Sequence, residues 1–372
     1  MKKSMKILGV NSGTSIDSLD IALFDVDDKN IDIIKGYEYK YPNIFLKKIK
    51  ELGPTSSILE VENASINLGK FVAQKINTFL KPLKLKPKLI GMHGQTIHHS
   101  NNIKNTTTIQ ITEPDIVSNM TGIDVVSDFR KKDVINGGTG APFVPILDHF
   151  LFKKVKRPFI AQNLGGIANT TLVHKDFNKS IGYDSGPANS LVDKVISIYT
   201  DNKLKFDKNG NYSRKGKVDK KLFNKILSNP FFKRKPPKST GNREFGIQYA
   251  LDLLSYSKKN NLIIEDILAT LTEVTVESIA RSYEDFIFRN HKIKNIILSG
   301  GGVKNSFMIE RLQVRLPEIV FLNSDDIGMP SKFKECALFA LLAYMRFHNL
   351  KINLKNITGA KTDSVLGKLS SK

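Results

Sequence analysis

The sequence is short of several residue types, and each shortage excludes a class of protein. Its 372 residues include no tryptophan and a single cysteine, Cys336. One cysteine cannot form a disulfide within the chain, which is typical of proteins from a reducing compartment. The apolar run that follows the N-terminal residues is too short and too polar for a signal peptide or a membrane span. We therefore expect a cytoplasmic protein with no membrane partner.

Acidic residues are also few. Asp and Glu number 36 against 57 Lys and Arg, which gives a net charge of +21. A balance this basic favours anionic ligands. The lysines are nevertheless spread along the chain without a basic block interleaved with aromatics, so we expect no nucleic-acid partner. A lysine-rich source proteome is the plainer explanation of the charge.

The sequence does contain enough apolar residues for two domains. Hydrophobic residues make up 40% and charged residues 25% of the chain, as in globular proteins. Short apolar runs alternate with small polar turns and helical patterns along its length. This order predicts an α/β fold.

The first small polar turn lies between two apolar runs near the start of the chain. Residues 7–10 and 21–26 have strand patterns, and residues 11–17 between them are nearly all small and polar. Such a turn offers backbone N–H groups and hydroxyls to an anion. It is either the phosphate loop of a nucleotide site, formed by residues 12–15, or an ordinary hairpin turn.

The same pattern returns in the middle of the chain. Residues 157–173 again follow the order strand, small polar turn and strand, and the turn at residues 163–169 parallels the turn at 11–17. The two turns lie about 150 residues apart, each opening one half of the chain. Two such hairpins favour a duplicated domain with one nucleotide bound between the halves.

A third polar turn follows the strand pattern at residues 89–92. It contains His93, Gln95 and Thr96, with glycines on both sides of the histidine. Because glycine lets the backbone approach a ligand closely, these residues either contact a substrate or form an ordinary turn with a satisfied histidine.

A charged cluster follows the strand pattern at residues 123–127. It occupies residues 128–133 and leads into a glycine-rich segment at 137–142. This order is typical of the mouth of an α/β site, and it also fits a surface salt-bridge cluster followed by a loop. We expect residues 137–142 to form a hinge between two domains.

Two segments of the second half also carry candidate site residues. Asp184 precedes a predicted helix, where it is either a capping residue or a carboxylate poised as a general base. Gly300, Gly301 and Gly302 connect a strand pattern to a helix. They indicate either adenosine packed on the backbone, with Asn305 nearby, or a tight strand-to-helix connection.

Together these motifs resemble those of one family, the anhydro-N-acetylmuramic acid kinases of the hexokinase–actin ATPase superfamily. They follow in order along nearly the whole chain. The matching segments are Ser12–Asp17 with Asp20, His93–Thr96, Asp128–Arg130 with Asp133, Gly137–Pro142 with Val144 and Pro145, Asn163–Asn169, Asp184 with Gly186, Pro187 and Asn189, Ser239–Gly241 with Arg243 and Glu244, Thr270–Glu273, Gly300–Gly302 with Asn305, and Glu335. The chain departs from the family pattern at Asn11, Ser18, Ser185 and Ala188, and alanine at position 188 is unfavourable if that position needs a positive φ.

The resemblance implies an α/β fold of two actin- or hexokinase-like domains. Each would have a mixed sheet flanked by helices, with ATP in the interdomain cleft. The domains would span residues 1–130 and 131–334, with the C-terminal segment 335–372 packing back on the first. A homodimer is also implied.

The implied activity is that of an ATP-dependent sugar kinase of peptidoglycan recycling and amino-sugar degradation. Such an enzyme hydrolyses the 1,6-anhydro ring of 1,6-anhydro-N-acetylmuramic acid and phosphorylates O6, giving N-acetylmuramic acid 6-phosphate and ADP. Two alternatives stay open: a kinase of the same superfamily for another sugar or anhydrosugar, and a non-catalytic nucleotide-binding sensor.

The resemblance also implies roles for individual residues. Asp184 is the expected catalytic base, which takes a proton from the water that attacks C1. ATP and Mg²⁺ are the expected cofactors, with Asp17 and Asp128 near the metal. The expected ATP-binding residues are Ser12, Gly13, Thr14, Ser15, Ile16, Asp17, Ser18, Leu19, Asn163, Gly165, Gly166, Asn169, Gly300, Gly301, Gly302 and Asn305. The expected substrate-binding residues are His93, Gln95, Thr96, Asp128, Arg130 and Glu335, and the guanidinium of Arg130 suits a carboxylate.

Overall fold

The computed structural model describes residues 4–13, 18–53, 55–100, 106–152 and 155–372, except for the side chains of Asn242 and Arg243. The chain forms two compact units, which we call the first unit (residues 1–153 and 332–372) and the second unit (residues 154–331). Each unit contains a mixed β-sheet with helices, so the predicted α/β class is confirmed. None of the helices in the described ranges is both long and apolar enough to cross a bilayer.

The first unit combines the N-terminal part of the chain with its C-terminal segment. Its strands are β1 (Met5–Ser12), β2 (Ser18–Val26), β3 (Ile31–Lys40), β4 (Leu89–His93), β5 (Gln95–His99), β6 (Thr108–Ile111), β7 (Asp124–Ser127) and, numbered by its place in the chain, β13 (Lys368–Ser370). Its helices are α1 (Asn43–Glu51), α2 (Ile58–Leu80), α3 (Pro114–Thr121), α4 (Phe129–Ile135), α5 (Val144–Leu151) and α12 (Lys334–Phe347). Because β5 pairs with β6 in a separate two-stranded sheet, Gln95 and Thr96 lie in a strand and not in the predicted turn.

The second unit is one continuous stretch of chain. Its strands are β8 (Phe159–Leu164), β9 (Ile167–Val173), β10 (Ile181–Pro187), β11 (Asn295–Ser299) and β12 (Val320–Asn323). Its helices are α6 (Asn189–Tyr199), α7 (Lys220–Leu227), α8 (Asn242–Phe245), α9 (Ile247–Lys259), α10 (Ile264–Tyr283) and α11 (Ser306–Arg315), and a π-helical turn (Glu284–Phe288) extends α10.

The strand order repeats between the two units. The main sheet of the first unit has the order β13-β7-β4-β1-β2-β3, and that of the second has the order β10-β9-β8-β11-β12. In each sheet, the first three strands of the chain pair antiparallel with one another in order. The next two strands pair in parallel, one beside the first strand and the other beyond it. The two sheets therefore share one topology, as expected for a duplicated domain, with β13 added to the edge of the first.

Two glycines let α12 lie directly on the sheet of the first unit. Gly9 and Gly91 are neighbours in the register of β1 and β4. A Cβ on either would lie 2.0 Å from a carbonyl oxygen of α12, that of Cys336 or that of Phe339. This close approach places Glu335, in the first turn of α12, beside the polar end of β1.

The boundary between the units lies beyond the one expected after residue 130. Residues 131–153, including most of α4 and all of α5, belong to the first unit. The segment predicted as a hinge, residues 137–142, also lies inside it. There the buried carboxylate of Asp133 accepts hydrogen bonds from the Gly140 N–H and the Thr358 hydroxyl, both at 2.7 Å. These bonds attach the segment to the C-terminal part of the same unit.

Candidate active site

In the first unit, the polar end of β1 is fastened to β5 through its serine. The Ser12 hydroxyl donates to Oε1 of the fully buried Gln95 at 2.6 Å and accepts from the Tyr41 hydroxyl at 2.8 Å. The only hydrogen of the Ser12 hydroxyl is thus used within the protein, so a phosphate could receive a hydrogen bond from this hydroxyl only if the bond to Gln95 broke. Four residues predicted to bind ATP, Thr14 to Asp17, lie outside the described residues.

His93 and Arg130 form a pair at the end of β4. The Arg130 Nε donates to His93 Nε2 at 3.0 Å, and the imidazole stacks on Phe339 with ring centroids 4.6 Å apart. Burial and the nearby guanidinium hold the pKa of His93 well below its ordinary value. Its neutral ring accepts through Nε2, which fixes the proton on Nδ1 and holds the guanidinium in one orientation.

Glu335 and Asn11 extend this polar cluster. The Asn11 side-chain amide donates to Oε2 of Glu335 at 2.5 Å, and Asn11 is the register neighbour of His93. Burial lowers the pKa of Arg130, and the negative charge of Glu335 opposes that shift. The structure therefore links three of the predicted substrate-binding residues: Arg130 pairs with His93, and Glu335 is bonded to Asn11, the neighbour of His93 in the sheet.

Asp128 has neighbours that compete with a metal. It stands at the start of α4 with a φ of +54°, and its Oδ2 lies 3.0 Å from the Lys368 ammonium and 3.4 Å from that of Lys131. Within the described ranges, no group of three or more His, Cys, Asp or Glu side chains is arranged to hold a metal. Mg²⁺ commonly takes only one or two protein carboxylates together with substrate phosphates and waters. The metal role of Asp128 stays a prediction, and its partner Asp17 lies outside the described residues.

Asp20 of β2 is a buried carboxylate outside the expected site residues, although it belongs to the first of the matching motifs. Its Oδ1 is buried and has no hydrogen-bond partner in the described part of the chain. Burial raises the pKa of Asp20 to about 6. The charge of Lys332 opposes this shift, and the charges of Glu38 and Glu335 add to it. Its position in the sequence, close to the first polar turn, was the available signal.

In the second unit, Asp184 is held at both carboxylate oxygens. Oδ1 accepts from the side-chain amide of Asn169, and Oδ2 accepts from the Thr240 backbone N–H at 2.8 Å. The residue is 6% exposed and lies in β10 at a bulge, so it is not a helix cap. Burial raises its pKa to about 6, although both hydrogen bonds and the charge of Lys238 favour the ionised form. A carboxylate with such a pKa is ionised at neutral pH and still basic enough to accept a proton.

The turn between β8 and β9 is joined to the same carboxylate. The Asn163 amide donates to Oδ1 of Asn169 at 3.2 Å, and Asn169 in turn donates to Asp184. The turn itself is closed by backbone N–H groups of residues 188–190, which donate to the carbonyls of Gly165 and Gly166. This second hairpin turn is therefore packed on its own unit.

The three glycines after β11 have different surroundings. Gly300 has a φ of +88°, and a Cβ there would lie 2.6 Å from Oδ1 of Asn163. A Cβ at Gly302 would lie 2.7 Å from the Leu164 side chain, whereas no described atom lies within 4 Å of one at Gly301. Two of the glycines are thus explained by the β8–β9 turn, and only Gly301 faces open space. Asn305 caps α11 by accepting from the Met308 N–H at 3.1 Å.

A groove elsewhere in the first unit contains none of the predicted site residues. It lies between α1 and α2 and is lined by Phe45, Leu52 and Phe71, with polar residues around them. The candidate site is therefore carried by the polar ends of strands and not by this groove.

Comparison with known proteins decides the family. The family model described as anhydro-N-acetylmuramic acid kinase matches residues 5–372. The chain belongs to this family. A relative named anhydro-N-acetylmuramic acid kinase from Caldanaerobacter subterraneus subsp. tengcongensis is 35% identical, with 99% of this chain and 98% of the relative covered. Relatives of the same name from Sulfurimonas denitrificans (36% identical, 97% and 98% covered) and Pasteurella multocida (34% identical, 99% and 97% covered) are similar to the chain over the same extent.

For a member of this kinase family, one departure from the expected motif does not conflict with the sign of φ. Ala188 precedes α6 with a φ of −117°, so this position does not need the positive φ that would favour glycine. Ser185 keeps a hydroxyl, which donates to the Ala168 carbonyl at 3.2 Å.

Two residues around Asp184 were missed as site residues by sequence reasoning. Lys238 accepts the Asp184 backbone N–H through its carbonyl at 3.0 Å, and Thr240 donates to the carboxylate. Both lie in the polar segment that follows Pro237. Residues 238–244 have no large apolar side chain to place in a core, which is the feature of the sequence that could have identified them as site residues.

Proposed function

We propose that this kinase-family member uses ATP to convert 1,6-anhydro-N-acetylmuramic acid and water to N-acetylmuramic acid 6-phosphate and ADP. Family membership over residues 5–372 supports the substrate, and the doubly held carboxylate of Asp184 supports the chemistry. The oxygen of water bonds to C1 of the sugar while the bond between C1 and O6 breaks. O6 then bonds to the γ-phosphorus, and ADP leaves.

Asp184 is the proposed base of this reaction. A water that attacks C1 must lose a proton, and Asp184 is the carboxylate held ready to accept it. The N–H groups of Asn169 and Thr240 fix both carboxylate oxygens, which limits the directions from which water can approach. Because burial raises its pKa to about 6, proton transfer to it is easier than to an ordinary aspartate.

Arg130 is the proposed partner of the lactyl carboxylate of the sugar. Its Nε is occupied by His93, so its two terminal nitrogens are the groups left to form a paired bond with a carboxylate. His93 thus acts by orienting Arg130. Glu335, Gln95, Thr96 and Asp128 are proposed as further contacts to the sugar.

ATP is proposed to bind through residues of both hairpins and of the glycine segment. These are Ser12, Gly13, Ser18 and Leu19 with Thr14 to Asp17, then Asn163, Gly165, Gly166 and Asn169, and Gly300, Gly301, Gly302 and Asn305. Mg²⁺ would neutralise charge on the phosphates, with Asp17 and Asp128 as the proposed nearby carboxylates. That the two units enclose the nucleotide, and that the protein is a cytoplasmic homodimer, are further parts of this proposal.

The decisive experiment is a product assay in ¹⁸O-labelled water with the anhydro sugar, ATP and Mg²⁺. We expect a 6-phosphorylated product that carries one ¹⁸O at C1, in equal amount to ADP. Glucose, N-acetylglucosamine and levoglucosan serve as alternative acceptors. ADP formation with one of these and none with the anhydro sugar contradicts the substrate, and a 6-phosphate without label contradicts the coupled hydrolysis.

A further inference from the structure

A buried lysine lies next to Asp184 and takes no part in the chemistry described so far. Lys238 is 8% exposed, although its side chain carries an ammonium group. In the described part of the chain, no carboxylate oxygen lies within 4.0 Å of that ammonium, so it forms no direct ion pair. An ammonium group removed from water in this way requires compensation from its surroundings.

The compensation comes from aromatic rings and carbonyls. The Lys238 Nζ lies 4.6 Å from the ring centre of Phe231, 5.2 Å from that of Phe286 and 6.0 Å from that of Tyr183. It donates to the carbonyls of Phe232 at 3.3 Å and Phe231 at 3.5 Å. Ring faces attract cations, and the attraction is stronger when the cation is desolvated. We call these three rings and two carbonyls the lysine cage.

The backbone of the short segment 238–240 holds Asp184 from two sides. The Asp184 N–H donates to the Lys238 carbonyl at 3.0 Å, and two residues later the Thr240 N–H donates to the Asp184 carboxylate at 2.8 Å. The lysine cage therefore anchors the short segment that fixes the main chain and the side chain of the proposed base.

The charges of the two side chains also depend on one another. Burial lowers the pKa of Lys238 to about 8, while the charges of Asp184 and Asp285 raise it and that of Arg234 lowers it further. On the other side, Lys238 favours the ionised form of Asp184 and Glu244 opposes it. Glu244 is itself paired with Arg234 at 3.3 Å, and Asp285 with Arg289 at 3.4 Å. Among the described residues, Lys238 is therefore the cation near Asp184 that forms no ion pair with a carboxylate.

We propose that Lys238 is a positioning residue: from its aromatic cage it holds the 238–240 segment in place and keeps the Asp184 carboxylate ionised without touching substrate. This inference rests on the proposed function of Asp184 as the base. It gives a function to the Lys238 side chain, which the proposed reaction does not otherwise use. It also gives a reason for a lysine to stand in an apolar cage where a methionine would pack without needing hydrogen bonds.

The test compares three variants by the pH dependence of kcat/KM. Lys238→Met keeps the length of the side chain and removes the charge, Lys238→Arg keeps the charge, and Lys235→Met removes an exposed lysine nearby as a matched control. We expect the acidic limb of Lys238→Met to move up by about one pH unit, because an opposite charge nearby lowers the pKa of a carboxylate. Its activity should then be about fivefold below wild type at pH 6 and recover towards pH 8.5. Lys238→Arg should restore the limb, and Lys235→Met should match wild type.

Two results would overturn the proposal: an unmoved limb in Lys238→Met, or a loss of activity that is the same at every pH. The second result is what a purely structural lysine predicts. If wild type makes no product, the proposed function fails instead, and the comparison of variants does not arise.

A reciprocal measurement covers the case in which Lys238→Met does not fold. In Asp184→Asn, the Lys238 ammonium loses the charge that supports it, so its titration midpoint should fall. The ¹³Cε resonance of Lys238, assigned by its absence in Lys238→Arg, reports that midpoint. A midpoint unchanged between wild type and Asp184→Asn contradicts the coupling.

Discussion

The two units share a strand order but collect different side chains beside their hairpins. In the second unit the hairpin leads through two asparagines to a buried carboxylate, Asp184. In the first unit the hairpin strand β1 lies beside β4, whose last residue, His93, orients a cation, Arg130 of α4. The comparison teaches that two sheets of one topology can carry a base in one unit and an anion-binding group in the other, because single side-chain pairings decide which of them results.

The contacts that support the two hairpins also differ. The turn of the second unit is closed by backbone bonds and packed against Gly300 and Gly302. In the first unit, the end of β1 is fastened by side chains instead, those of Gln95, Tyr41 and Glu335. Substitutions in the two units should therefore fail in different ways, and the following predictions rank them by expected effect.

Replacing the base should have the largest effect. Asp184→Asn keeps the size of the side chain and removes its ability to accept a proton, so turnover should fall by about 10²–10⁴-fold. ATP binding should stay close to wild type, because the phosphate-facing residues are unchanged, whereas the melting temperature should fall, because the asparagine NH₂ replaces an oxygen that accepts from Asn169 or Thr240. Product assays and calorimetry measure both. Activity within a few-fold of wild type would remove Asp184 as the base.

Replacing the cation of the first unit should cost affinity and selectivity. Arg130→Met should lower kcat/KM by about 10- to 100-fold, since hydrogen bonds to charged groups contribute about 1.5–3 kcal/mol. The loss should be far smaller with 1,6-anhydro-N-acetylglucosamine, which lacks the lactyl carboxylate. Lys132→Met, an exposed neighbour, is the matched control. An equal loss with both sugars contradicts a contact to the carboxylate.

The acidic limb of the pH profile should report the ionisation of Asp184. Asp184 must be ionised to accept a proton, and its pKa is raised to about 6 by burial. Activity should therefore fall as the pH drops through 6, to about one tenth at pH 5. His93 should contribute no limb near its ordinary value, because burial and Arg130 hold its pKa well below. A fall in activity centred near pH 4 instead would show that Asp184 becomes less buried when the substrate binds.

Adjacent glycines of the second unit should separate stability from binding. Gly300→Ala places a methyl group against Asn163 and Leu164 at a positive φ, which should lower the free energy of unfolding by about 1–3 kcal/mol. Gly301→Ala meets open space, so its melting should match wild type while its affinity for ATP falls. Thermal melts with and without ATP distinguish the two. Equal melting losses in both variants would contradict a ligand-facing role for Gly301.

The smallest effect should come from the support of the first hairpin. Tyr41→Phe removes the hydroxyl that donates to Ser12, which should cost about 1 kcal/mol of stability. Ser12 keeps its bond to Gln95, so activity should change only slightly. Tyr37→Phe, at an exposed ring, is the control. A loss of ATP affinity in Tyr41→Phe larger than its loss of stability would mean that this hydroxyl positions the phosphate turn.

The sequence allowed the elements to be predicted but not the partners that meet in the site. Both hairpins, the helix α2 and the strand–glycine–helix segment followed from local patterns and were confirmed. Asp184 was expected beside a helix start, yet β10 continues past it through Gly186 and Pro187. No local pattern joins Asn11 to Glu335 or Asp184 to Thr240, which are 324 and 56 residues apart. Such pairings depend on tertiary folding, and Lys238 could not be assigned for the same reason.

The C-terminal segment has a consequence for how the chain folds during synthesis. The sheet of the first unit is covered by α12 at Gly9 and Gly91 and ends at β13, which pairs with β7. Both elements are translated after the whole of the second unit. Although domains generally fold in order from the N-terminus, here the second unit can be complete on the ribosome while the first still lacks a helix of its core. A truncated chain that ends at residue 331 and is released from the ribosome should therefore resist protease in the second unit and be cut in the remaining part of the first unit.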